Sequence, residues 1–349
     1  MTTPAETPQT PITILTGFLG SGKTTLLSKL IRHPGMARTA VIINEFGDVG
    51  LDHLLVESSN EDTLLLDGGC LCCTVRSDLV ETLRSLAIRR ARGEIEFDRV
   101  VIETTGLADP APVVHAFIMD PMAAARFRLD GVIATVDAVN GLAQLGSHFE
   151  SVKQAAMADR IVLTKGDLAD PGMVARLRAR LGELNPAATI HPARMGEIDP
   201  ALLFDVGLWN LARKSDDVRA WLNEEAYRAA DDHAHHHHHH DHDGHDHHHH
   251  DHDPRRHDGG IRSFCLYFDK PLPWERWAGA FDELVTREGA RLLRIKGLLN
   301  VAGEDRPVAI HGVQHLFHDP SPLAAWPDAD RRSRVVFITN AIERDEVET

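Results

Sequence analysis

Cysteine is scarce: the 349-residue chain has four, and three of them crowd into Cys70-Leu-Cys72-Cys73. So few thiols, so clustered, exclude a disulfide framework and point to metal or redox chemistry. Basic residues are outnumbered, with 37 Lys and Arg against 52 Asp and Glu and a formal charge of −15. That balance excludes a general binder of nucleic acid or anionic membrane, each of which needs a basic face. Part of the negative charge is local, because many aspartates sit in one histidine-rich stretch. No apolar run approaches the roughly 18–20 residues of a membrane span. Met1 to Pro11 is rich in Thr and Pro and lacks the basic and apolar regions of a signal peptide, so the cytoplasm is the expected compartment. No internal repeat is found. Hydrophobic content of 43% is ordinary and supplies a real core. The length suggests two domains.

What is present is organised around residues 12–25. The apolar, β-branched run Ile12 to Thr16 enters a glycine-rich turn, and Lys23-Thr24-Thr25 open a helix. Gly17, Gly22, Lys23 and Thr24 fit the phosphate-binding-loop pattern. Glycines let the loop curl with its N–H groups inward, and the helix adds the positive end of its dipole. Gly20, Ser21, Gly22, Lys23, Thr24 and Thr25 are the expected nucleotide contacts. Lys23 is expected to reach the β- and γ-phosphates and the Thr24 hydroxyl to hold Mg²⁺. A glycine-rich turn that binds nothing is the bland alternative. The full pattern in a strand–loop–helix setting favours a nucleoside triphosphate.

Helical spacing of Leu26, Leu27, Leu30 and Ile31 continues until Pro34-Gly35. Strands are expected at Ala40 to Asn44, Thr63 to Asp67, Arg99 to Ile102, Gly131 to Val136 and Arg160 to Leu163. Helices are expected at Val75 to about Arg92, from Pro110 or Pro112 toward Ile118, and at Pro171 to Leu184. This alternation implies an α/β fold: a mainly parallel sheet covered on both faces, with functional loops at the carboxyl ends of its strands. Residues 231–260 shift composition abruptly, with fifteen histidines interleaved with aspartates. Such a segment cannot bury enough apolar surface to order itself and reads as a linker. Beyond it, strands at Ser263 to Phe268, Leu292 to Ile295, Leu298 to Val301, Val308 to His311 and Val335 to Thr339 surround a helix carrying Trp277, Phe281, Leu284 and Val285. The expected division is an unstructured start at 1–11, a P-loop domain at 12–230, the linker, and a smaller α+β domain at 261–345.

Three constellations carry chemistry. Glu103 ends an apolar strand, where P-loop enzymes hold an acid that contacts Mg²⁺ through water or orients the attacking water, and Gly106 could offer an N–H to the γ-phosphate. A solvated glutamate is the rival. Thr164-Lys165-Gly166-Asp167 resembles the Asn-Lys-x-Asp guanine motif. The Asp167 carboxylate fits the N1 and N2 donors of guanine, and a site so built rejects a base lacking them. Lys165 can lay its stem along the base. Thr164 supplies only part of the bracing an Asn would give. An ordinary strand–helix turn is the rival. Cys70, Cys72 and Cys73 can converge on one soft cation, by default Zn²⁺, with a further ligand such as Asp48 or His115. A Cys70–Cys73 redox pair or merely buried thiols are the rivals. The histidine tract could collect divalent ions weakly or be an expansion without a role. Cys265 reads as core, and His311, His315 and His318 as surface or core.

Together, Gly17-Phe-Leu-Gly-Ser-Gly-Lys-Thr24, Asn44-Glu-Phe-Gly47, Gly69-Cys-Leu-Cys-Cys73, Glu103-Thr-Thr-Gly106 and Thr164-Lys-Gly-Asp167 resemble the CobW-type family of P-loop GTPases. Leu293-Arg-Ile-Lys-Gly297 and Arg334-Val-Val-Phe-Ile338 resemble its C-terminal domain. The resemblance implies a GTPase acting as a metallochaperone, usually for zinc and for cobalt in cobalamin-making members, with GTP, Mg²⁺ and a client metalloprotein as companions. It implies Cys70, Cys72 and Cys73 as metal ligands, residues 20–25 as phosphate cradle, Glu45 in the first switch, and Glu103 as the Mg²⁺/water acid beside Lys23. Thr164 in place of Asn is the departure. The metal and the client differ among members and do not transfer. A metal buffer working through the histidine tract is the alternative. A small-molecule kinase would leave the cysteines without a job.

Overall fold

A computed structural model describes residues 9–43, 64–67, 75–205, 260–317 and 320–348, together with Val218 and Leu222. The described residues fall in two compact units, one within 1–141, 158–177 and 188–209, the other within 142–157, 178–187 and 210–349.

In the first unit, β1 (Thr10–Gly17), β2 (Thr39–Ile43), β3 (Leu64–Asp67), β4 (Arg99–Glu103), β5 (Phe127–Asp137), β6 (Arg160–Thr164) and β7 (Thr189–Pro192) form one sheet. Their order is β3-β2-β4-β1-β5-β6-β7, and every neighbouring pair is parallel. Its helices are α1 (Lys23–Leu30), α2 (Val75–Ala91), α3 (Ala111–Ile118) and α4 (Pro121–Arg126). Further along the chain come α5 (Gly141–Ser147), α6 (Phe149–Met157) and α7 (Pro171–Leu184), of which residues 142–157 and 178–184 fall in the second unit. Strand side chains alternate between faces. Leu15, Val41, Val101, Ile133 and Val162 pack on one face with Leu26, Leu27 and Leu30 of α1. Ile14, Ile42, Ile102 and Val132, one residue out of step, are equally buried, so both faces are covered. That is why residues 40–43, 100–102 and 161–163 read as short unbroken apolar runs.

The strands and helices expected up to residue 192 are present. Absent from the sequence reading are α4, α5, α6 and β7. For α4 the signal existed: Asp120 accepts a hydrogen bond from the Ala123 amide at 2.9 Å, and Pro121 takes the first helical position.

In the second unit, β8 (Ile261–Phe268), α8 (Trp274–Glu288), β9 (Leu292–Leu299), β10 (Val308–Val313), β11 (Leu316–Phe317), β12 (Ser321–Pro322), β13 (Ser333–Asn340) and α9 (Arg344–Glu348) follow one another. The sheet order is β11-β10-β9-β13-β8, with β12 against β10, all antiparallel. Phe264, Leu266, Ile295, Val335 and Phe337 form its core, with Trp277, Phe281 and Val285 of α8 packed against it. The two strands expected at Leu292 to Ile295 and Leu298 to Val301 are corrected to the single strand β9. Gly297 does not break it: a Cβ there would lie 3.0 Å from Ile310 Cγ1 and 3.1 Å from Val335 Cγ2. It is a glycine of close side-chain approach. Cys265 is buried in β8, as expected. His311 is half-buried and His315 exposed, while His318 lies outside the described residues. No helix among the described residues is long and apolar enough to cross a membrane.

Candidate functional site

The sheet order puts the loop after β1 between the ends of β4 on one side and of β5 on the other, the position where ligands of open α/β sheets bind. Lys23 is 8% exposed, and its ammonium donates to the Gly17 carbonyl at 2.7 Å and the Phe18 carbonyl at 3.2 Å. A cation is thereby held inside its own loop at the start of α1. Ser21 faces the other way: its hydroxyl lies 2.6 Å from that of Thr135 beneath the loop.

From β4, Glu103 comes up buried beside α1, and the Thr24 hydroxyl donates to its Oε1 at 3.0 Å. The Thr104 amide donates to the Leu15 carbonyl at 2.9 Å, tying the segment after β4 to β1. Gly106 then passes the phosphate loop so closely that a Cβ would lie 2.8 Å from Leu19 N and Cα. Only glycine fits there, which makes this a contact between two functional loops.

From β6, the Thr164 hydroxyl lies 2.7 Å from the Ser21 carbonyl and 3.2 Å from that of Val136. The threonine thus braces the phosphate loop. Lys165 follows with φ 56, and its ammonium donates to the Gly20 carbonyl at 2.7 Å and to Asp137 Oδ2 at 2.8 Å. Asp167 is exposed two residues on. Asp137, at the end of β5, was not singled out in the sequence, although it carries the same signal as Glu103, an acid closing an apolar strand. Burial raises its carboxyl, but hydrogen bonds from Lys165, from Asn140 and from the Val139 and Asn140 amides outweigh that and hold it below the ordinary carboxylate range.

Leu19, Gly20, Gly22, Lys23, Thr24, Thr25, Ile43, Glu103, Thr104, Thr105, Gly106 and Lys165 enclose a cavity of about 390 Å³. Of the expected contacts, Ser21, Thr164 and Asp167 are not in this lining, and His115 sits half-buried on α3, also outside it. Glu45, Asp48, Cys70, Cys72 and Cys73 lie outside the described residues, as does the tract at 231–259. Among the described residues no three His, Cys, Asp or Glu side chains gather to hold a metal ion. The strand ends that precede Glu45 and Cys70 in the chain lie among the described residues. Ile43, the last residue of β2, pairs with Glu103 on one side and with Asp67, the last of β3, on the other.

A glycine-rich loop closing the central strand of a parallel sheet, a lysine opening the next helix, and a buried strand-end acid bonded to the following threonine define a P-loop nucleotide-binding domain. Residues 11–192 match the family described as CobW/HypB/UreG, nucleotide-binding domain, and residues 261–349 match the cobalamin synthesis protein cobW C-terminal domain. The chain belongs to the CobW family. It is 32% identical over 336 residues to the zinc chaperone YjiA of Escherichia coli, covering 96% of each chain. It is 28% identical to the zinc-regulated GTPase metalloprotein activator 1 of Saccharomyces cerevisiae, over 98% of this chain and 83% of that one. The crystal structure of Zn(II)-bound YjiA GTPase from E. coli matches with a TM-score of 0.68 at 29% identity, covering 98% of this chain and 97% of that one. The family resemblance and fold class read from the sequence are thus borne out.

Proposed function

We propose that this protein is a GTPase that binds zinc as cargo and couples GTP binding and hydrolysis to release of the metal to a client metalloprotein. The observation that carries this reading is one cavity lined by Lys23, Thr24, Glu103, Gly106 and Lys165, in a chain whose relatives are named zinc chaperone and zinc-regulated GTPase.

The loop N–H groups and the start of α1 receive the phosphates, and Lys23 exchanges its loop carbonyls for β- and γ-oxygens. Thr24 Oγ1 and Glu103 Oε1, 3.0 Å apart, are hard oxygen donors of the kind Mg²⁺ takes. When bound, that ion neutralises phosphate charge. Glu103 orients the attacking water, and the Gly106 amide faces the γ-phosphate. Lys165 lays its stem along the guanine, Asp167 accepts from N1 and N2, and Thr164 holds the base segment against the phosphate loop. Glu45 belongs to the first switch. Cys70, Cys72 and Cys73 grip the zinc, with Asp48 as candidate further ligand; cobalt is the competing cargo.

Two facts support a transmission between nucleotide and metal. The segments carrying Glu45 and the cysteines begin just after Ile43 and Asp67, and Ile43 pairs directly with Glu103. GTP orders these segments around the metal, and hydrolysis relaxes them. Metal content and GTP turnover, measured together, test this. Replacing Cys70, Cys72 and Cys73 by serine is expected to remove both tight zinc and any effect of zinc on turnover. A triple variant with the zinc effect intact overturns the reading. Deleting 233–257 is expected only to reduce loading; loss of most activity would favour the metal-buffer alternative.

A further inference from the structure

Asp137 has a place in the fold but no role in the chemistry so far. It is 1% exposed and closes β5, opposite Thr164 of β6 in register. Its carboxylate accepts four bonds: Oδ1 from the Val139 amide at 2.8 Å and the Asn140 amide at 3.3 Å, Oδ2 from Asn140 Nδ2 at 2.9 Å and Lys165 Nζ at 2.8 Å. Those four fill the acceptor sites a carboxylate offers. Three would suffice for a turn-closing acid at the start of α5. The fourth comes from a lysine 28 residues away.

Lys165 is held from two sides. Its ammonium bridges the Asp137 carboxylate and the Gly20 carbonyl of the phosphate loop. Its backbone is in the left-handed region, φ 56, which a side chain with a Cβ adopts only where its surroundings over-determine it. Its side chain is 37% exposed and lines the nucleotide cavity. A long, flexible cation beside a binding pocket ordinarily samples many rotamers, and each one lost on binding costs affinity. Here both ends are fixed before any ligand arrives.

We infer that Asp137 is the positioning residue for base recognition: it pins the Lys165 ammonium so that the lysine stem stands as a preformed wall of the base pocket. This rests on the guanine-nucleotide reading given above. Because the same ammonium holds Gly20, the wall and the phosphate cradle are set by one group. Asp137 touches neither base nor phosphate and acts through Lys165. The charge matters as well as the reach. An asparagine in its place can still accept the Val139 amide, but it meets the ammonium without an opposing charge.

The test is equilibrium binding of GTP and of ATP to the full-length chain, normalised to folded protein by circular dichroism. In Asp137→Asn the GTP-over-ATP preference is expected to fall about tenfold, the equivalent of about 1.4 kcal/mol. KM for GTP should rise accordingly while kcat at saturating GTP stays within about threefold, since losing ground-state and transition-state binding alike leaves kcat unchanged. Lys165→Gln should give the same fall, and the double variant no further one, because the two residues act as a unit. A purely turn-forming Asp137 lowers the melting temperature, additively with Lys165→Gln, and leaves the preference intact; that result overturns the inference. Should Asp137→Asn fail to fold, Lys165→Gln decides alone: an unchanged preference leaves Asp137 nothing to act through and overturns it. Wild-type protein that binds ATP as well as GTP sinks the guanine reading and this inference with it. Wild-type preference retained in Asp137→Asn sinks the inference only.

Discussion

The two sheets of this chain handle their polar residues in opposite ways. In the parallel sheet the strand-end acids and hydroxyls gather at one edge, as Glu103, Asp137 and Thr164 close β4, β5 and β6, while polar side chains further back, such as Thr13 on β1 and Asp130 on β5, are buried against one another. In the antiparallel sheet buried cations lie within the strands: Arg294 and Lys296 on β9, and Arg334, the second residue of β13. A parallel sheet releases all its loops of one kind at one edge, so chemistry concentrates there. An antiparallel sheet alternates its faces, so polarity is spread along the strand. The first arrangement makes a site, and the second a stable platform.

That contrast can be broken by substitutions that should affect one property and spare the other. The largest effect is expected in the platform. Phe337 is 3% exposed and stacks on Phe264 with centroids 5.5 Å apart, so Phe337→Ala should cost about 3–5 kcal/mol in denaturant unfolding. GTP turnover per folded molecule should be unchanged. Lys23→Ala should do the reverse, lowering turnover about 10²–10³-fold by phosphate release while the circular dichroism spectrum stays the same. Gly106→Ala should touch both, because its Cβ meets the Leu19 backbone; a loss of about 1–3 kcal/mol with impaired turnover is expected. If it were neutral, the close contact between the two loops would be wrong.

The smallest effect is electrostatic. Hydrogen bonds from Arg332 hold the Asp330 carboxyl down from 3.8 to about 2, against the opposing effect of burial. A carboxyl depressed on folding stabilises above its unfolded value and loses that contribution as pH falls through the folded one. Wild type should exceed Asp330→Asn by about 1 kcal/mol at neutral pH, a figure already reduced for the partial exposure of the pair. The gap should narrow as pH falls from 3.8 through about 2, followed by denaturant titration across that range. A gap that stays at its neutral-pH size at about pH 2 would assign the effect to packing.

Much of the fold was legible because its signals are local. A buried parallel strand is a short apolar run, and the phosphate loop, Glu103 and Thr164-Lys165 each announce themselves within a few residues. What was missed depends on contacts distant in sequence. Asp137 carries no meaning until β5 and β6 pair and bring Lys165 to it. Gly297 resembles a strand breaker until Ile310 and Val335 are seen pressing against it from neighbouring strands. The Thr164 departure from the guanine motif looked like a loss, yet its hydroxyl reaches the Ser21 carbonyl at 2.7 Å and does bracing work on the loop. Ser21, expected at the nucleotide, turns its side chain to Thr135, a partner on β5 that spacing alone does not reveal.

The coupling of nucleotide to metal is most directly tested by measuring GTP affinity with and without zinc, and zinc affinity with and without a non-hydrolysable GTP analogue. Linkage requires both ratios to be the same. The account predicts equal ratios of about 5–150-fold, the usual span of allosteric coupling. GTP affinity that is identical in the presence and absence of bound zinc would contradict it.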